Sequence, residues 1–296
     1  LEIDRRVQLV DGVELIPFSE MIDSEEKEAV LQSKLNRGLN FVNFPRCALV
    51  KRMRTEKFYT SYELHTDGER EKRDKIAREE AELFFTIPLL LNCLSGVHCA
   101  PCFLTEYVPP NTPFGPFGGR SGSGTMLDVV QGQYSNLSGV DLAHFPDLHA
   151  AYQKLKPSWK QTISLALARL GQAKGRSQRS DGALDLGIAL EMVLLNSEHK
   201  GDELPGQLHN QFRLRGAWLI GNTFEERSRI FTLLRDVYTM RSQMAHAGVL
   251  KSADKIRDKN HYSALLEVAE RIFRKLNLDG PPSDWSQLTL GPNTNS

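Results

Sequence analysis

The sequence predicts an α+β protein in which an N-terminal mixed α/β domain precedes an all-α helical bundle. Three features point there. Residues 1–108 mix strand-like alternation with helical periodicity, whereas almost every segment after residue 148 repeats at helical spacing. Between them lies "PPNTPFGPFGGRSGSG" (Pro109–Gly124), too rich in Pro, Gly and Ser for a long regular element. The charge divides as well. Residues 151–296 hold 21 Lys and Arg against 15 Asp and Glu, a net +6, offset by −6 over residues 1–150. The expected organisation is therefore a mixed α/β domain over 1–108, a loop and linker over 109–147, a bundle over 148–276 and a tail over 277–296.

In the first domain, Val7–Phe18 and Asn40–Arg54 carry the β-branched and aromatic residues of strands, and Val97–Val108 reads as another. Ser24–Leu35 and Glu69–Cys93 read as helices, the second opening on a heavily charged, solvated face (Glu69–Lys75). The bundle is expected from a short lead-in, Leu148–Leu155, and then Trp159–Ala173, Gly182–Asn196, Gln207–Ile220, Phe224–Ala247 and Asp254–Leu276. Short connections between amphipathic helices argue for up-and-down packing. The helix over 224–247 has both ends marked: Thr223 and Glu226 form an S/T-x-x-E capping box, and Gly248 stands where a left-handed glycine would end it. The segment after Leu276 is expected to fray or to lie along the surface.

Composition narrows the function classes. With 40% hydrophobic and 25% charged residues the chain reads as a globular protein. The longest apolar run, Leu83–Leu91, is far short of the roughly 20 residues of a membrane span, so no membrane partner is expected. Four cysteines are too few for a disulfide scaffold, which together with the lack of a signal-peptide pattern points to the cytoplasm.

Several tempting motifs are set aside on chemical grounds. Cys93, Cys99 and Cys102, with His98 between, contain a single C-x-x-C, whereas structural zinc normally takes two such knuckles; buried free cysteines are the better reading. The glycine-rich run Gly118–Thr125 lacks the lysine of a phosphate-binding loop. His144, His149, His199 and His209 show no metal-ligand spacing and read as surface histidines. Neither a cofactor nor a metal is expected.

The pair Arg241 and His246, in "RSQMAHAG" (Arg241–Gly248), remains. Basic residues in a last turn complement the negative end of a helix dipole, and that alone accounts for their presence. They also suit chemistry at a phosphodiester: a histidine can move the proton, and a guanidinium can hold phosphoryl oxygens as charge develops. Five residues along a helix turn the side chains about 140° apart and separate them by about 7.5 Å along the axis. One copy of the helix therefore does not bring both tips to a single atom.

The segments "SDGALDLGIALEMVLL" (Ser180–Leu195), "QFRLRGAWLIG" (Gln211–Gly221) and "EERSRIFTLLRDVYTMRSQMAHAG" (Glu225–Gly248) resemble, in order, the Apea-like branch of the HEPN superfamily. The resemblance covers about a third of the chain. It implies a dimerising helical bundle with an R-x4–6-H motif, often a metal-independent ribonuclease. Arg241 and His246 stand at the motif's two positions, with Ser242 at the polar position after the arginine. The common family ending places glycine directly after the histidine; here Ala247 intervenes.

The implied function is an RNA-cleaving enzyme with an Arg/His site shared across a homodimer. The resemblance further implies a defence or toxin-like effector, whose N-terminal domain meets a trigger or regulatory partner. Two other readings stay open: a non-catalytic module binding nucleotide, RNA or a partner protein, and a partner in a nucleotidyl-transfer or antitoxin system. Among supporting residues, Glu191 lies in an apolar helix, where a carboxylate needs a partner. Arg215 is the expected one, with orientation of Arg241 as the alternative. Asp236 is read either as another orienting group or as part of a solvated face, and Tyr238 as core.

Overall fold

The computed structural model describes residues 2–10, 12–24, 27–28, 31, 46–52, 67–99, 104–105, 121–122, 137, 140, 142–195, 207–249 and 258–290. Near the N-terminus, strands β1 (Val7–Val10) and β2 (Val13–Pro17) form an antiparallel pair whose tight turn uses Gly12 at φ 72°. That left-handed conformation is open to glycine at little steric cost. Strand β3 (Cys47–Lys51) adds to β2, also antiparallel, giving the order β1-β2-β3. Leu9, Val13 and Leu15 are buried from this small sheet. Most of the helix expected over 24–35 lies outside the described residues.

Helix α1 (Asp67–Leu91) runs from charged, exposed turns into a buried end at Ile87, Leu90 and Leu91, as the sequence pattern requires. Of the strand expected over 97–108, Val97–Cys99 is not extended into a sheet. Leu104–Thr105 (β4) does pair, with Ser121–Gly122 (β5) from within the segment expected to be loop throughout.

The bundle consists of α2 (Phe145–Lys154), α3 (Pro157–Gly175), α4 (Arg179–Leu194), α5 (Leu208–Ile220), α6 (Phe224–Ala247) and α7 (Lys259–Asp279). Helix α3 packs on α4, and α6 packs on α4, α5 and α7. Of the helix expected from Asp254, residues 254–257 lie outside the described residues, and α7 is described from its cap at Asp258. Asp258 is the residue whose carboxylate accepts the Asn260 N–H, at 2.9 Å, and helical backbone follows it. The tail differs from a frayed end: Trp285–Leu290 forms a helix, α8, whose Trp285 is buried beneath the Arg215 guanidinium, 5.2 Å from ring to cation.

The buried residues of the sheet, α1 and the bundle form one contiguous hydrophobic cluster. A polar clamp reinforces it. Lys174 of α3 is buried and donates to the carbonyls of Asn92 (2.6 Å), Leu94 (3.1 Å) and Val97 (2.7 Å), just past the end of α1. Its ammonium also pairs with Glu270 of α7 at 2.7 Å, and Arg274 donates to the Cys93 carbonyl. Carbonyls of the turn that follows α1 are thereby satisfied by cations, whose charge also suits the negative end of that helix. Among the described residues, no helix is long and apolar enough to cross a membrane.

Candidate functional site

Helix α6 places Arg241 and His246, and both of its ends are built by local sequence. At the start, Thr223 Oγ1 accepts the Glu226 N–H at 3.2 Å, one half of the expected capping box. The Glu226 carboxylate reaches one residue further back than that motif requires, accepting the Asn222 N–H at 2.9 Å, and also takes a 2.6 Å contact from Arg271 of α7. At the finish, Gly248 adopts φ 64°, ψ 3° and donates to the Met244 carbonyl at 3.1 Å. Ala247 is therefore the last helical residue, and the extra position after His246 is absorbed before the cap.

Between these ends α6 buries Ile230, Leu233, Leu234, Val237 and Met240. Arg241 follows this stripe and turns toward α4. Its Nη2 lies 2.6 Å from Glu191 Oε2, with both side chains about three-quarters buried. Burial pushes the Glu191 carboxyl up from its ordinary range, and the Arg241 charge works against that rise. The expected pairing of Glu191 with Arg215 does not occur. Arg215 instead donates to the Leu194 carbonyl at 2.8 Å and covers Trp285.

The pairing with Arg241 depends on a residue that the sequence reading passed over. A Cβ on Gly187 would sit 2.6 Å from Arg241 Cγ and closer still to its Cβ, so glycine lets α4 and α6 approach at this level. Gly187 and Glu191 are four apart on α4 and share a face. A glycine one turn before a carboxylate in the apolar second half of the helix is the available signal.

Asp236 is buried, so it belongs to no solvated face; His261 Nε2 of α7 lies 3.3 Å from its Oδ2, and Arg235 Nε lies 3.7 Å from its Oδ1. Ser242 is half-buried, and Tyr238 sits at the core margin, 5.5 Å from the Phe212 ring. His246 is exposed in the last turn. Arg241 and His246 thus face different directions from one helix, in keeping with the 140° between them. A shallow groove lined by Phe224, Ser228, Thr232, Leu233 and His261 lies along the N-terminal half of α6, away from both.

His209, expected as a surface histidine, packs against Tyr238 with ring centres 5.1 Å apart. Cys93 is fully buried, and that burial pushes its thiol up to about 12. Burial likewise pushes His98 down to about 4. Cys102 and His199 lie outside the described residues. Among the described residues, no group of three or more His, Cys, Asp or Glu side chains is arranged to hold a metal ion.

What this geometry offers is a guanidinium fixed by an interhelical carboxylate, one and a half turns before a solvent-facing imidazole at a capped helix end. No protein-family model matches the chain, and no curated protein or solved structure does so either.

Proposed function

We propose that the chain is a metal-independent endoribonuclease of HEPN type, working as a homodimer and serving as a defence or toxin-like effector. The observation that carries this reading is the Arg241–Glu191 ion pair. It holds a permanent cation in one orientation, so that the guanidinium meets developing phosphoryl charge with little reorganisation. Support comes also from the exposure of His246, which leaves its ring free to meet substrate.

In the proposed reaction the ribose 2′-oxygen attacks the adjacent phosphorus while the His246 imidazole takes the hydroxyl proton. The O2′–P bond forms and the P–O5′ bond breaks, leaving a 2′,3′-cyclic phosphate. The departing 5′-oxygen takes its proton from the protonated imidazole of the second copy, so no proton is left over. Arg241 stabilises the charge on the non-bridging oxygens. The outward divergence of the two side chains on one helix favours a site completed across a two-fold axis. The N-terminal domain is assigned the trigger or regulatory partner.

The test is incubation of the purified chain with mixed RNA in EDTA, beside His246→Ala and Arg241→Ala. Wild type is expected to produce fragments ending in 2′,3′-cyclic phosphate, and both variants to lose cleavage by at least roughly a hundredfold. Equal cleavage by all three overturns the mechanism. RNA bound but left whole by the wild-type dimer turns the reading to a non-catalytic module.

A further inference from the structure

Beside the Arg241–His246 end, α5 and α6 together present a basic and aromatic face. Arg213 of α5 stacks over the Phe231 ring of α6 at 4.4 Å, while His209 packs on Tyr238 at 5.1 Å. The Arg213 guanidinium is anchored within its own helix, donating to the His209 carbonyl at 3.2 Å and to Asn210 Oδ1 at 3.2 Å. Arg235 of α6, half exposed, stands one turn after the Phe231 on which Arg213 lies, and burial, with the Arg235 charge after it, weakens the hold of Arg213 on its proton. Two guanidiniums are thus brought together by helix packing.

The sign of this face is one-sided. Helix α5 has no acidic residue, and from Ile230 to Ala247 the only one on α6 is Asp236, buried between His261 Nε2 at 3.3 Å and Arg235 Nε at 3.7 Å, so that it offsets only part of the charge of this face. On an ideal helix Phe231, Arg235, Tyr238, Ser242 and His246 fall within a sector of about 80°. The face therefore continues along α6 toward the exposed imidazole, over about 16 Å from Arg235 to His246.

We propose that this α5–α6 face is a single-stranded RNA track: Arg213 and Arg235 hold the phosphates, and His209 and Tyr238 offer aromatic edges and faces to unpaired bases. Its substrate class rests on the nuclease reading above. A second copy of the chain fits the same face poorly, because a two-fold contact would set its arginines against themselves. A polyanion answers that charge, and stacking on the partly exposed edges of these rings selects for unpaired strands. The track enters the site from the His246 side, leaving Arg241 behind the scissile phosphate.

The experiment is fluorescence anisotropy of a labelled 12-nucleotide oligouridine on the full chain, in EDTA, with His246→Ala as the cleavage-blocked background. Adding Arg213→Gln and Arg235→Gln is expected to weaken binding by roughly tenfold and to reduce the slope of log K against log salt by about 1.4. Arg213→Lys with Arg235→Lys keeps the charge and is expected to recover most of the affinity. Binding equal to the background variant's overturns the track, as does a loss accompanied by a lower melting temperature or a changed sedimentation coefficient. Wild type that cleaves while the glutamine variant binds normally leaves the nuclease reading standing without the track. RNA bound through the two arginines but never cleaved supports the track and ends the nuclease reading.

Discussion

Arg241 of α6 and Glu191 of α4 form a 2.6 Å ion pair, and neither residue is the other's neighbour in sequence. The pair sits where the core stripe of α6 gives way to solvent, so it is only partly screened by water. Removing the carboxylate leaves a mostly buried guanidinium short of an acceptor, and Arg241 Nε already lacks a hydrogen-bond partner among the described residues. Glu191→Ala is therefore expected to destabilise the fold by about 1–3 kcal/mol, measured by urea denaturation. Glu191→Gln keeps an acceptor and is expected to cost less. In RNA cleavage both variants are expected to lower kcat more than they raise KM, since the carboxylate orients Arg241 rather than touching substrate. An unchanged kcat in Glu191→Ala with intact folding would remove Glu191 from the site.

The closeness of α4 and α6 yields a second prediction. Gly187→Ala would normally stabilise a helix by up to about 1 kcal/mol. Here its Cβ collides with the base of the Arg241 side chain, near the backbone, where no rotamer change relieves it. Separating the two helices is expected to cost about 1–3 kcal/mol, enough to outweigh the gain in propensity. Chemical denaturation checks the sign, and a stabilised Gly187→Ala protein would show that the helices have room to spare.

Lys174 makes a stronger demand. Its ammonium is buried among three carbonyls and the Glu270 carboxylate. Burial lowers the lysine's pKa, opposed chiefly by Glu270. Lys174→Met removes the cation, leaving the buried Glu270 charge with only the Gly96 N–H and the Ser95 hydroxyl and the carbonyls past α1 without their donor. The expected loss is about 3–5 kcal/mol, read as a fall in the denaturation midpoint. Pairing it with Glu270→Gln is expected to recover only part, because the backbone carbonyls stay without their donor. Full recovery in the double variant would mean that the carbonyl contacts contribute little.

These features differ in how far the sequence foretells them. The ends of α6 are legible because Thr223, Glu226 and Gly248 act on backbone within a few residues of themselves. The start of α7 is marked as locally, by the Asp258 carboxylate and the Asn260 N–H two residues on, although helical periodicity alone places it earlier. The partner of Glu191 is decided between helices: Gly187 lets α6 come close enough for Arg241 to reach it, while Trp285 and the Leu194 carbonyl engage Arg215. Trp285 likewise turns a polar-looking tail into a docked helix. The meeting of Arg213 with Phe231, and of His209 with Tyr238, leaves no signature in either helix alone.

The start of α6 gives a prediction in pH. The Asn222 N–H, and after it the Arg271 guanidinium, hold the Glu226 carboxyl below its ordinary range. A carboxylate depressed by folding contributes stability that is present above its unfolded pKa and fades as pH falls through the lower folded value. Glu226→Gln keeps the side-chain shape but loses the charge. At pH 7 it is expected to cost about 1 kcal/mol, modest because the group is close to solvent. As pH drops below the carboxylate range, wild-type Glu226 becomes neutral too, and the two melting temperatures should converge. Parallel thermal melts from pH 7 down to pH 3 make the comparison. A gap that stays constant across that range would assign the stabilisation to shape and hydrogen bonding rather than to charge at the N-terminus of α6.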